Sequence, residues 1–311
     1  MFSPDRFSRN AAGLGDDAFL FKPASGSQWA VTSDASAEGV HFRLDWVSPE
    51  RALRKALLAN LSDINAMGGR SRHVFFNLGA RPEWDESVFI ALGRALRELE
   101  ETFDFRVSGG DTVRTSGAGF FAFTVLGDVA GRPLLRSACK PGHRIYVSGM
   151  LGGSAAGLRL LKRGDNSEKN LKKSSQDLIK IHLDPIPPLL LGPALASLDR
   201  DVAAIDISDG LSSELGHLSR QSGCLLRVEW EKMPLHSGLV SEDAAFICEC
   251  VLNGGEEYQL LFTGDFSETE LAWLGSFASI SEIGAVEAGE GVFLTEAETT
   301  SPLPAHGYSH G

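Results

Sequence analysis

The stretch AAIDISDGLSSELGHLSRQSG, residues 203–223, shows the architecture of this chain in miniature. Ala203–Ile207 is a short, nearly continuous apolar run that reads as a strand. A turn holding Asp206, Asp209 and Gly210 follows, and it leads into a helical pattern over Leu211–Ser222 that Gly223 stops. The same alternation extends in both directions. Runs rich in Val, Ile and Phe predict strands at Ala18–Lys22, Trp29–Ser33, His73–Gly79, Phe120–Leu126, Arg144–Ser148, Leu225–Glu229 and Gln259–Thr263. A helix is predicted from Ser48-Pro49-Glu50, where Ser caps and Pro suits the first helical position, to about Asn60, and another from Glu86 to about Thr102. The class is mixed α/β.

A length of 311 residues predicts two domains at ~150 residues each. The polar, proline-flanked connector GRPLLRSACKPG (131–142) sets the expected division into 1–137 and 138–311. The net charge of −12 argues against nucleic acid or an anionic membrane as partner, since both select a basic face. No apolar run approaches the ~20 residues of a membrane span, and MFSPDRFSRN lacks the basic-then-apolar order of a secretory signal, so a cytoplasmic address is expected. Cys139, Cys224, Cys248 and Cys250 follow no metal or disulfide spacing and read as reduced core or strand thiols. Lys162–Lys180, charged and without a clean apolar face, reads as a surface loop or frayed helix.

The acidic turn recurs five times. Gly15-Asp16-Asp17, Thr32-Ser33-Asp34, Leu61-Ser62-Asp63, Gly109-Gly110-Asp111-Thr112 and Asp206 to Gly210 each set a carboxylate beside Gly or Ser next to a predicted element. Any one of them is ordinary turn and capping chemistry, Asp209 ahead of Leu211 included. As a set they share no capping role, and if they meet in space they repel unless cations lie between them. Mg²⁺, which takes carboxylate oxygens together with water and phosphate, is the natural cation. The sequence has no G-x-x-x-x-G-K-[ST] loop and no kinase-type glycine loop, so a nucleotide would be held mainly through metal. The glycine-rich Gly149–Gly157 segment reads equally as an anion cradle and as a close-packed turn.

The motifs GDD, TSDASAEGVHF, KALLANLSDINAMGG, SGGDT, RSACKPGHRIYVSG, DISDGL and NGGEEYQLLF, in this order and spacing from about Gly15 to Thr263, resemble the thiamine-monophosphate kinase family of the aminoimidazole-ribonucleotide synthase-like superfamily. The resemblance implies a homodimer. Its amino-terminal domain would bind ATP and Mg²⁺ and form a barrel of strands across the dimer interface, with a carboxy-terminal α/β domain closing over the site. The implied reaction is transfer of the γ-phosphoryl group of ATP to thiamine monophosphate. By motif position, the resemblance makes Asp17, Thr32, Ser33, Asp34, Asp63, Asp111, Asp206 and Asp209 ligands of several Mg²⁺ ions. It makes Gly110, Asp111, Arg136 and Ser208 nucleotide contacts, and His41 and Glu256 contacts to thiamine monophosphate.

An acceptor phosphate oxygen is anionic near neutral pH and needs no general base. Positioning and charge neutralisation then carry the reaction, with Asp63, Asp111 and Arg136 as the residues expected to matter most. Two departures from the family pattern stand out. Gly-Gly-Glu-Glu-Tyr-Gln (254–259) replaces Gly-Gly-Glu-Asp-Tyr-Glu, and Pro304-Ala305-His306 precede Gly307-Tyr308 where the family places a substrate-packing aromatic, a role not carried over to Tyr308. The rival readings are another ATP-using enzyme of the superfamily with a different acceptor, and a non-catalytic nucleotide- or metal-binding dimer. Against two such enzymes, no cysteine lies before Cys139, where a selenophosphate synthetase would carry its reactive residue, and the chain does not end in a modifiable cysteine.

Overall fold

The structure, a computed structural model, describes residues 16–22, 28–164, 172–240 and 242–307. Tyr308, to which no role was carried over, and part of the Lys162–Lys180 stretch, residues 165–171, lie outside the described residues. Strands β1 (Phe19–Phe21), β2 (Gln28–Ala37), β3 (Arg70–Ala80), β4 (Arg106–Arg114) and β5 (Phe120–Val129) form one sheet in the order β1-β2-β5-β3-β4. Along β5 buried and half-buried residues alternate, as a strand with one face on a core must. Phe121 and Phe123 on that buried face stack with Phe42 and Phe76. Helix α1 (Pro49–Ala66) packs on β2, β3 and β5 with α2 (Glu86–Phe103) against it. Within one chain this sheet is open, with β1 and β4 at its edges, and no closed barrel forms among the described residues.

The second sheet has the order β12-β11-β8-β10-β6-β9-β7. It is built from β6 (Arg144–Ser148), β7 (Ala203–Asp206), β8 (Cys224–Glu229), β9 (Leu260–Gly264), β10 (Ile280–Ala288), β11 (Gly291–Glu296) and β12 (Thr299–Pro302). Helices α3 (Gly153–Lys162), α4 (Lys173–Leu183), α5 (Leu191–Ser197), α6 (Leu211–Ser222), α7 (Ala244–Asn253) and α8 (Glu268–Leu274) complete this half. The four cysteines are free thiols. Cys248 and Cys250 sit on α7 rather than on a strand. No helix among the described residues is long and apolar enough to cross a membrane.

Helix α1 joins the two halves, touching β7, α4 and α5 as well as the first sheet. That explains why twelve of its eighteen residues are buried and why it runs past the expected end at Asn60 to Ala66. Its last turn contains Ser62, Asp63 and Asn65, which have modest intrinsic helix propensity. Tertiary bonds hold them: Ser62 donates to Asp206 at 2.7 Å, and Asn65 Oδ1 accepts the Gly192 N–H at 2.8 Å. At Gly68, φ is +79° and a Cβ would press on Ala196, so glycine lets the chain turn out of α1 directly against α5.

Two local expectations are corrected, and a third, left between loop and helix, is resolved over its described part. Gly109–Thr112 is not a turn but the middle of β4, paired in parallel with β3, and β2 continues through Asp34 to Ala37 instead of stopping at Ser33. Lys173–Leu183 is a helix whose apolar face, Leu178, Ile179 and Leu183, is completed by residues beyond Lys180.

Candidate active site

Three carboxylates converge beside α1. Asp17 precedes β1, Asp63 lies in the last turn of α1 and Asp206 ends β7, and one oxygen from each lies within 4.8 Å of the others. Their positions are fixed by specific bonds. Thr32 Oγ1 donates to Asp63 Oδ2 at 2.7 Å, and Ser62 Oγ donates to Asp206 Oδ2 at 2.7 Å. Arg136 forks onto Asp17 through Nη2 at 2.7 Å and Nε at 3.2 Å, while its backbone N–H donates to Asp16 at 2.9 Å.

Burial, reinforced by the charges of Asp17 and Asp34, pushes the Asp63 carboxyl well above its ordinary range. Burial together with Asp17 and Asp63 does the same to Asp206. One guanidinium among these anions leaves the cluster short of positive charge. An all-oxygen donor set with unmet negative charge fits a hard divalent cation such as Mg²⁺.

The other expected site residues divide by position. Thr32 and Asp34 share a face of β2, with Asp34 exposed and close enough to act on Asp63. Ser33 points to the opposite face, where its hydroxyl meets the Phe123 carbonyl at 3.2 Å and Thr124 at 3.0 Å, so its side chain is not part of the cluster. Asp209 lies in the turn before α6, and its N–H donates at 3.1 Å to Glu214, whose carboxyl burial pushes up to about 8. Ser208 accepts the Glu256 N–H at 2.7 Å, tying the two loops together.

Gly110 and Asp111 are displaced from this group. They lie on edge strand β4, three strands from β2, a separation of ~14 Å at ~4.8 Å per strand. Asp111 is exposed, its Oδ1 accepting the Thr112 N–H at 2.7 Å. Gly110 has φ +149°, and any Cβ there would overlap the Phe76 carbonyl. One chain therefore does not bring Asp111 to Asp17, Asp63 and Asp206.

His41 and Glu256 lie toward the other end of α1. His41 Nδ1 accepts the Ala37 N–H at 3.1 Å, and the ring is among the groups around Glu256. Glu256 Oε1 pairs at 2.9 Å with Lys55, a residue the motif reading did not single out. The signal in the sequence was a basic pair, Arg54-Lys55, set between Leu53 and Ala56. Lys55 and Asp63 are eight residues apart, so their backbone positions lie ~12 Å apart along α1. The glycine-rich entry to α3 is settled by a carboxylate of the chain itself. Buried Glu257 accepts the Ser154 N–H at 3.0 Å and bonds Gly152, leaving a packed turn rather than an anion cradle.

An α/β chain whose carboxylates call for a cation is the setting in which the comparisons with known proteins fall. The family model "AIR synthase related protein, N-terminal domain" matches residues 15–129. Thiamine-monophosphate kinase of Bacillus subtilis is 35% identical over 96% of this chain and 93% of its own length, and that of Pyrococcus abyssi is 31% identical over 96% and 90%. Among solved structures, AaThiL complexed with AMPPCP and TMP aligns with a TM-score of 0.81 at 30% identity over 96% of this chain and 91% of that one. Thiamine-monophosphate kinase from Stenotrophomonas maltophilia K279a aligns at 0.80 and 31% identity, over 95% and 92%. Hydrogenase maturation protein HypE, at 16% identity and a TM-score of 0.73, shares the fold. The chain belongs to the thiamine-monophosphate kinase family.

Proposed function

We propose that this protein transfers the γ-phosphoryl group of ATP directly to the phosphate of thiamine monophosphate, giving thiamine diphosphate and ADP. The observation that carries the reading is the convergence of Asp17, Asp63 and Asp206 within 4.8 Å, next to Arg136, in a chain of this family. In the reaction a phosphate oxygen of the acceptor forms the new bond to γ-phosphorus as the bond to the β,γ-bridging oxygen breaks and ADP leaves.

Asp17, Asp63 and Asp206, with Thr32, Asp34 and Asp209 around them, would hold Mg²⁺. Bound Mg²⁺ supplies neutralisation of the phosphate oxygens. Arg136 has the planar fork suited to a phosphate once its bond to Asp17 is exchanged. His41 and Glu256 would hold the heterocyclic end of the acceptor, beside Lys55 on α1. Ser208, tied by its carbonyl to the Glu256 loop, would contact the nucleotide.

Asp111 and Gly110 fit this scheme if they are supplied by a second copy. The β4 edge is unpaired among the described residues and exposed along most of its length, which supports a homodimer whose first sheets together close a barrel. In that arrangement residues 1–137 bind nucleotide and metal and form the dimer, while 138–311 close over the site. The address would be the cytoplasm. The test is an endpoint assay with ATP, Mg²⁺ and thiamine monophosphate in which both products are separated and quantified, with EDTA as control. Equimolar thiamine diphosphate and ADP, abolished by EDTA, is the expected result; ATP hydrolysis without thiamine diphosphate would show that the acceptor is another compound.

A further inference from the structure

The Lys55 ammonium lies 2.9 Å from Glu256 Oε1 and 3.5 Å from His182 Nε2. His182 Nδ1 in turn lies 3.1 Å from Ser154 Oγ and 3.6 Å from Glu256 Oε2. Lys55 is 7% exposed and His182 3%, so a charge sits among buried groups where a Leu or Met would pack without desolvation cost. Glu256 is also held through its backbone. Its φ is +60°, a conformation L residues adopt at a cost, and it is fixed by Glu256 N–H to the Ser208 carbonyl at 2.7 Å and Tyr258 N–H to the Ile207 carbonyl at 2.9 Å.

We infer that Lys55 is a positioning residue for the acceptor: its buried ammonium keeps the Glu256 carboxylate ionised and in one orientation at the acceptor end of α1. The inference rests on the reading of Glu256 as the contact to thiamine monophosphate. The groups facing Glu256 are Lys55 from α1, His182 from α4, His41 from the segment after β2 and Tyr258 from its own loop. Burial would raise the Glu256 carboxyl, but the Lys55 ammonium paired with it, foremost among the groups around it, holds it below its ordinary range. His182, lowered to about 3 by burial and by Lys55, is neutral near pH 7, which leaves Lys55 as the permanent cation touching the carboxylate. Burial keeps Tyr258 protonated.

The test is calorimetric titration of thiamine monophosphate into the full chain with Mg²⁺ present, between about pH 6 and about pH 8. Wild type and Lys55→Arg should show nearly the same affinity at both ends. Lys55→Met should lose on the order of tenfold at the acidic end and recover toward the alkaline end, because burial, no longer offset by the ammonium, lifts the Glu256 carboxyl above the acidic end of the range, where each further unit of rise is a tenfold change in its ionised fraction. Glu256→Gln should bind weakly with no such slope, and Lys55→Met should add nothing in that background. Any contribution from His41 is common to all these proteins and cancels in the comparison. Thermal unfolding reports which variants fold, and Lys55→Gln replaces Lys55→Met if the latter does not. A flat profile for the charge-removing variant, or an undiminished loss in the Glu256→Gln background, overturns the inference. Unchanged affinity in Glu256→Gln alone instead overturns the reading of Glu256 as the acceptor contact, with no bearing on how Lys55 and Glu256 pair.

Discussion

Replacing Asp206 by Asn should stabilise the metal-free protein while disabling it. Two unit charges 4.8 Å apart repel by about 3.5 kcal/mol at an effective dielectric of ~20. Asp206 faces two such neighbours, and Arg136, forked onto Asp17, offsets only part of their repulsion. Partial protonation already relieves part of that repulsion in the free protein, as the raised pKa values of both groups require. A net gain of about 1–2 kcal/mol remains, equivalent to roughly 2–6 °C in Tm. The Asn side-chain oxygen can still accept from Ser62, so the bond that holds the last turn of α1 is kept. Unfolding should be followed by calorimetry in EDTA and in excess Mg²⁺, alongside turnover. Asp206→Asn should melt higher than wild type in EDTA, lose most of the Mg²⁺-dependent increment, and turn over on the order of a hundredfold more slowly. If it melts lower in EDTA and keeps the full increment, the cluster is a structural knot held by Ser62 and the cation argument is wrong.

Metal-free stability should fall as pH rises from about 6.5 to about 8. Glu214 and Glu257, pushed by burial up to about 8, and the Asp63–Asp206 pair all have folded pKa values above their unfolded ones, so the stability they contribute when protonated is lost on the way up. Below that window His182 and His217, lowered to about 3 and about 4, act in the opposite sense. Mg²⁺ should offset the fall, with an increment in Tm that grows with pH, since protons compete with the cation for the same oxygens. Gly110→Ala should cost at least about 3 kcal/mol or prevent β4 from pairing, because the new Cβ would overlap the Phe76 carbonyl at a φ of +149°; denaturant unfolding measures it. Asp63→Asn and Asp111→Asn, each expected to impair turnover more than folding, should regain activity when co-expressed if Asp111 serves the partner's site. Failure of mixed dimers to recover any activity would place Asp111 outside the shared centre.

Local sequence made most of the first sheet and the helix starts legible, because apolar periodicity and Pro49 act over a few residues. Arg144–Ser148 and Leu211–Ser222 match the expected bounds. β4 was hidden because a Gly-Gly-Asp run has turn chemistry by itself, and only pairing to β3 makes it a strand. β10 to β12 went unseen for a related reason: glycine and polar residues dilute their alternation, and their order in the sheet depends on partners far away in the chain.

The acidic motifs announced a site but not its membership. The sequence by itself determined that carboxylates, an arginine and a glycine-rich glutamate loop are present in an order specific to one family, since motif order is a property of the chain. Tertiary structure decided which of them meet. It turned Ser33 away because strand side chains alternate, brought Asp206 to Asp63 through Ser62, set Asp111 three strands off, and added Lys55 beside Glu256. The outcomes for Asp206, Asp111 and Lys55 depend on burial and on distances across sheets and between helices, and no local pattern of residues encodes either.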